Sequence, residues 1–165
     1  MLLPSLENLP VVSLPEGYCL REASREDEGS LLSILASAFP EFGWDSEKLD
    51  NQILGHEHVF GAYLLEKDGK GVGTVSGIIW PAEPSQGYVH WLGVHEDSLG
   101  QGLGLKIMLL LLHEFARRGL KSAILDTDDG RLPAIATYIK LGFEPLIVEE
   151  GQEERWRGVR AALKG

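Results

Sequence analysis

The 165-residue chain predicts an α/β protein built on one mixed, twisted sheet with helices on both faces. Three observations carry that expectation. Residues 58–80 hold two apolar, strand-like runs around the turn "EKDGKG", whose Asp-Gly pair marks a hairpin. Residues 88–143 alternate short strand runs with longer helical ones, the pattern of βαβ units and a parallel sheet. Between the two, "SLGQGLG", 98–104, is a glycine-rich turn that runs straight into a helix. A hairpin-rich first half joined to a βαβαβ second half requires a sheet that is antiparallel in one part and parallel in another.

The elements follow in order. Residues 1–16 carry Pro4, Pro10 and Pro15 without periodicity, so they form an extended arm or an added sheet edge, and 17–165 form a single domain. "GYCLREA", 17–23, alternates as a first strand. Ser24 then caps a helix over 24–39: Asp27 stands three residues on, acids fill the first turn, and Leu31, Leu35 and Ala38 recur at helical spacing until Pro40. "WDSEKLDNQIL", 44–54, is a second, shorter helix. After the hairpin and the loop "PAEPSQG", the run "YVHWLGV", 88–94, is a strand. A long helix follows the glycines to about Arg118, with Gly119 as its stop. "KSAILDT", 121–127, is a buried strand. "RLPAIATYIKLGF", 131–143, is a helix with Pro133 in its first turn and Gly142 after its last. "FEPLIVEE" and "ERWRGVRAAL" close the chain as two strands, or a strand and a tail. The expected order is β-α-α-β-β-β-α-β-α-β-β.

Composition removes several functions. Net charge is −10, from 25 acidic and 15 basic residues, which disfavours a nucleic-acid backbone as partner and slightly favours a cationic small molecule. The longest apolar run, within 102–112, is interrupted by Lys106 and is too short to cross a bilayer. The start lacks the basic and apolar regions of a signal peptide, and the one cysteine, Cys19, excludes an intrachain disulfide; both fit a cytoplasmic protein. His56 and His58 are isolated and there is no Cys cluster, so no metal is expected.

Glycines at the start of a helix free backbone N–H groups and leave room for an anion at the positive end of the helix dipole. A nucleoside triphosphate would need Gly-Lys-Ser/Thr, but Gly104 is followed by Leu105, Lys106 and Ile107. A dinucleotide turn would follow its strand directly, whereas five residues separate Val94 from Gly100. "LGVHEDSLGQGLGLKIMLLLLHEFARRG" resembles the acetyl-CoA motif of the GNAT superfamily of N-acetyltransferases, in which Arg/Gln-x-x-Gly-x-Gly/Ala follows a strand ending in Val. Gly102 and Gly104 fall on the two small positions, and Leu99 stands where Arg or Gln is usual. "RLPAIATYIKLGFEP", 131–145, resembles the second signature of that family: Ala134, Tyr138, Gly142 and Phe143 are in register, while Arg131 replaces Asn and Thr137 replaces Leu. The likeness covers about 17–160.

The resemblance implies a GNAT-like fold and acetyl-CoA as cosubstrate, with an acetyl group passed directly to the amine of a small molecule or peptide. No acyl-enzyme is needed, and Cys19 is no candidate nucleophile. The cofactor would be held by the backbone of Leu92 and Val94 and by the turn Leu99, Gly100, Gln101, Gly102, Leu103 and Gly104. Tyr138 would protonate the leaving thiolate; by spacing alone it is an amphipathic aromatic at the sheet rim. A base is also needed, because only a neutral amine attacks. Many family members carry Glu where this chain has Tyr88. Strict alternation would put Tyr88, His90, Leu92 and Val94 on one face, making His90 the candidate base, with Glu83, Asp126 or solvent as substitutes. Gly93 permits a bulge. Arg131 either meets a coenzyme phosphate or pairs locally with Asp128 or Asp129. "FPEFGWD" forms an aromatic, acidic lid or a core corner. The departures at Leu99 and Tyr88 also suit an inactive acyl-CoA-binding module of the same fold. Family members are often homodimers, and the C-terminal segment could pair or swap.

Overall fold

The computed structural model describes residues 1–164. Six strands form one sheet: β1 (Leu2–Leu3), β2 (Tyr18–Glu22), β3 (Val59–Lys67), β4 (Lys70–Ile79), β5 (Gln86–Val94) and β6 (Ser122–Ile124), in the order β1-β6-β5-β4-β3-β2. Only β5 and β6 run parallel; every other pair is antiparallel. Asp68 and Gly69 turn the β3–β4 hairpin, both at positive φ. The mixed sheet expected from the hairpin and the βαβ spacing is therefore present.

Helices cover both faces. Ser24 accepts a bond from the Glu26 amide and its own amide donates to Asp27 Oδ2, starting a 3₁₀ turn that leads into α1 (Glu28–Ala38). α2 (Ser46–Leu49) continues into a π-turn at Asp50–Leu54. Leu31, Ile34 and Leu35 of α1 pack with Leu49, Ile53, Ala62 and Leu64 on one face. On the other, α3 (Leu103–Arg117) lays Ile107, Met108, Leu111, Leu112 and Phe115 against Val72, Val75, Val89 and Ala123. This helix lies close to the sheet because the strands beneath it carry glycine. A Cβ built on Gly87 would stand 2.4 Å from the Phe115 ring, and one on Gly73 2.6 Å from Ile107. α4 (Leu132–Lys140) seats Ile135 and Tyr138 in the same core. No helix among the described residues is long and apolar enough to cross a membrane.

Three sequence expectations change. Residues 1–16 are the added edge rather than a free arm: β1 pairs with β6, Leu2 also bridges Glu144, and Leu6, Leu9 and Leu14 join the core. Of 121–127, only Ser122–Ile124 pairs; the chain beyond leaves the sheet and opens a cleft. The closing two strands are absent among the described residues. Residues 143–150 hold only the bridge at Glu144, and 154–163 belong largely to a helix, α5 (Gln152–Ala162). Trp156, Val159 and Leu163 sit at i, i+3 and i+7 and pack on the core of the chain itself, while Glu153 and Glu154 occupy the dipole-favoured first turn.

Candidate active site

The site is built where β5 parts from both neighbours. Pairing with β6 ends at Tyr88↔Ile124. Pairing with β4 runs Ser76↔His90 and then Thr74↔Gly93, so Trp91 and Leu92 together oppose the single residue Val75. This is a β-bulge, and Trp91 holds φ +46°, a left-handed conformation uncommon for a bulky side chain. The bulge sits at Trp91, not at Gly93; the missing side chain of Gly93 instead admits Ala38 and Phe39, which a Cβ would meet at 3.0 and 3.2 Å.

One extra residue inverts the alternation beyond it. Gly87 and Val89 face α3, Tyr88 and His90 the opposite side; past the bulge, Leu92 and Val94 pack toward α3 while Trp91 joins the α1 cluster. The four residues expected on one face are thus divided two and two. His90 and Tyr88 line one chamber, and Val94 another.

The first chamber, about 390 Å³, is walled by Phe39, Phe42, Tyr88, His90, Trp91 and Asp126. The second, about 470 Å³, extends from Leu92 and Val94 to the glycine turn and Ala134. Leu92, Arg131 and Tyr138 line both, so the chambers meet at these three side chains. Glu83 lies outside the first chamber and Asp126 within it.

The turn itself fits a phosphate. Gly100 and Gly102 hold φ +76° and +68°, and no atom lies within 4 Å of a Cβ built on either. Gly104, in the first turn of α3, has only Val94 at 4.0 Å. The first-turn N–H groups therefore open onto an unobstructed cradle, and that turn contains no acid. Side chains contribute little. Leu99 is 64% exposed, the Gln101 side-chain carbonyl accepts from the Tyr18 hydroxyl at 2.7 Å, and Lys106 Nζ donates back to Ser13 O at 2.8 Å. Arg131 is the one cationic residue lining the chamber among those described. Its guanidinium lies 4.4 Å from the centre of the Phe39 ring, not against Asp128 or Asp129; Asp129 pairs with Arg155 at 2.8 Å.

The titratable groups differ in environment. Burial raises the Tyr138 phenol and the Arg131 guanidinium pulls the other way, so the phenol keeps its proton across neutral pH. Its hydroxyl has no hydrogen-bond partner among the described residues. Burial, helped by His56, lowers His90 to about 4. That moves it out of the range expected for an ordinary histidine and keeps the imidazole neutral. Ser76 Oγ donates to His90 O at 3.1 Å and lies 3.1 Å from Nδ1. Burial, followed by the Asp126 carboxylate, pushes up Tyr88, whose hydroxyl donates to Asp126 Oδ2 at 3.1 Å.

The 131–145 segment and the glycine turn, read from sequence as two halves of one site, line the second chamber together through Arg131, Ala134 and Tyr138. Trp91 was missed: nothing in "HWLG" signals a tryptophan at positive φ. Phe39 and Phe42, read from sequence as part of a lid or a core corner, pack edge-on to Trp91 at 5.0 and 4.7 Å and also line the first chamber.

An apolar cleft thus runs from Leu92 to the acid-free first turn of α3, with the buried Tyr138 in its wall. The chain belongs to the GNAT family of acetyltransferases: the family model "Acetyltransferase (GNAT) family" matches residues 29–143. It is 32% identical over 151 residues to a mycothiol acetyltransferase of Saccharomonospora viridis, a match covering 82% of this chain and 48% of the relative. A second, from Thermomonospora curvata, is 34% identical over 148 residues and covers 86% and 49%. The chain spans about half the length of these curated relatives. Among solved structures, the ribosomal-protein-S18-alanine N-acetyltransferase of Escherichia coli shares the fold with a TM-score of 0.69 at 21% identity, covering 79% of each chain. A GNAT family acetyltransferase from Brucella melitensis, solved with acetyl-CoA, gives 0.61 at 19%, covering 78% and 83%.

Proposed function

We propose that the protein transfers an acetyl group from acetyl-CoA directly to a primary amine bound in the 390 Å³ chamber. The observation that carries this reading is the junction: the two chambers meet at Leu92, Arg131 and Tyr138, and Cys19 on β2 lines neither of them.

Acetyl-CoA supplies an activated thioester when bound. Gly100, Gly102, Leu103 and Gly104 would hold its phosphates through backbone N–H groups, aided by the Gln101 amide and the Arg131 guanidinium. The Leu92–Val94 backbone would line the pantetheine arm as an added strand, and Leu99 would offer only apolar contact. At the junction, Tyr138 gives its proton to the departing sulfur, and the neighbouring Arg131 charge stabilises the phenolate left behind. His90 faces the same chamber, but its basicity, lowered to about 4, makes it a poor acceptor from an ammonium, so the amine would reach the thioester after losing its proton to solvent. Relatives named mycothiol acetyltransferases make a mycothiol-related amine the first acceptor to try.

The test is coenzyme A release from acetyl-CoA over a panel of primary amines: a mycothiol precursor, an aminoglycoside, a polyamine and amino-acid amides. Release with one class supports the reading. Tight acetyl-CoA binding with no release from any amine overturns it and makes the chain an acyl-CoA-binding module, the reading that the Leu99 and Tyr88 departures favour.

A further inference from the structure

A primary amine is mostly protonated at neutral pH and so reaches the first chamber as a cation before it loses a proton and attacks, and the mechanism above leaves the chamber's two carboxylates, Asp126 and Asp128, unused; of these, Asp126 is held in place by a hydrogen bond. Asp126 follows the end of β6, where the chain leaves the sheet, and lines the chamber beside His90 and Tyr138. It has no salt-bridge partner among the described residues. Its Oδ2 accepts from the Tyr88 hydroxyl at 3.1 Å. Tyr88 itself is fixed: it pairs with Ile78 and Ile124 in the sheet, and its ring lies against Trp80 and His90. The carboxylate is therefore oriented by a rigid strand while its other oxygen remains available to a ligand.

Resting on the transfer reading, we propose that Asp126 is the docking carboxylate for the ammonium of the acceptor and that Tyr88 is its positioning residue. The acceptor class is then a protonated primary amine. Phe39, Phe42 and Trp91 supply apolar and ring-face walls that suit the carbon frame beside such a cation. The other charged or titratable groups facing the chamber are Asp128, Arg131, His90 and Tyr138. Arg131 is stacked on Phe39 and repels a second cation, which orients the ammonium toward Asp126. Tyr88 on β5 thus holds its carboxylate partner just beyond the end of β6.

The experiment titrates the amine panel into protein saturated with coenzyme A, and in parallel measures amine KM and kcat by coenzyme A release. Asp126→Asn is expected to weaken amine binding and raise amine KM by about 10- to 100-fold, the weight of a charge-assisted bond. It should leave kcat within a few-fold and acetyl-CoA affinity unchanged. Tyr88→Phe should give a smaller rise of the same kind, and Asp126→Glu should recover part of the loss. Amine binding equal in the wild type and Asp126→Asn overturns the proposal while leaving acetyl transfer standing. Wild-type amine binding that Asp126→Asn abolishes, with no coenzyme A release by either, supports the docking role and overturns transfer. A fall in thermal stability together with loss of acetyl-CoA affinity assigns Asp126 a structural role beside the Met1 amino group, which it faces electrostatically, and overturns the proposal.

Discussion

The depressed basicity of His90 makes folding stability depend on pH in a way that one substitution isolates. In the unfolded chain a histidine titrates near 6.5; folded, His90 is held at about 4, because burial, and then His56, disfavour the charged form. Between those values the unfolded chain binds a proton that the native protein refuses, so the unfolded state gains stability as pH falls. The contribution is absent above about pH 6.5 and complete below about pH 4. At pH 4.5 the shift amounts to about 2.5 kcal/mol, near two units at about 1.36 kcal/mol each. His90→Gln removes the titration while keeping a polar side chain. Both proteins carry the same carboxylates, so those cancel when the two are compared. Urea denaturation followed by tryptophan fluorescence at pH 7.5 and 4.5 should show the wild type losing about 2.5 kcal/mol more than the variant over that interval. A wild-type-minus-variant difference that stays constant to within about 0.5 kcal/mol would refute the burial of a neutral imidazole at this position.

Three further outcomes follow from packing and charge. Gly87→Ala places a methyl 2.4 Å from the Phe115 ring and should cost about 1–3 kcal/mol of stability by denaturant titration, with Phe115→Leu restoring part of it. Gly104→Asp brings a carboxylate to the first turn of α3, which now contains no acid, and should weaken acetyl-CoA binding by calorimetry at least about tenfold through repulsion from the coenzyme phosphates. Arg131→Ala removes the stack on Phe39 and the one cationic residue that lines the second chamber among those described; acetyl-CoA should bind about threefold to tenfold more weakly than to the wild type, and a difference that shrinks at high salt marks the change as electrostatic.

The parts legible in the sequence were those in which a local pattern and a local force coincide. Ser24 and Asp27 announced a helix start, Asp68-Gly69 a hairpin, and the glycines at 100–104 a bare helix N-terminus; each needs only neighbouring residues to act. The two motifs that the sequence paired line one chamber, between Tyr138 and the α3 turn. Three features depended on partners distant in the chain. The bulge at Trp91 is stabilised by Phe39, Phe42 and Trp44, some fifty residues earlier, and it reverses an alternation that strict periodicity would continue. His90 owes its lowered basicity to burial beside Ser76 and His56, so its identity alone suggested an ordinary value. At the C-terminus, the β-branched and apolar run 145–148 favoured a strand, but β1 already occupies the edge of the sheet beside β6. The i, i+3, i+7 spacing of Trp156, Val159 and Leu163 was present in the sequence and outweighs Gly158 once those residues find the core.

The central claim is that one phenol at the meeting point of two chambers completes acetyl transfer. The most direct measurement compares wild type and Tyr138→Phe for acetyl-CoA affinity by calorimetry and for coenzyme A release at saturating acetyl-CoA and amine. The substitution removes only an oxygen that has no hydrogen-bond partner among the described residues, so the ring keeps its contact with Phe143 and the fold is retained. Acetyl-CoA affinity should remain within about twofold while kcat falls about 100-fold or more, the usual weight of a positioned general acid. A kcat unchanged across the pH range, with acetyl-CoA still bound, would contradict the account.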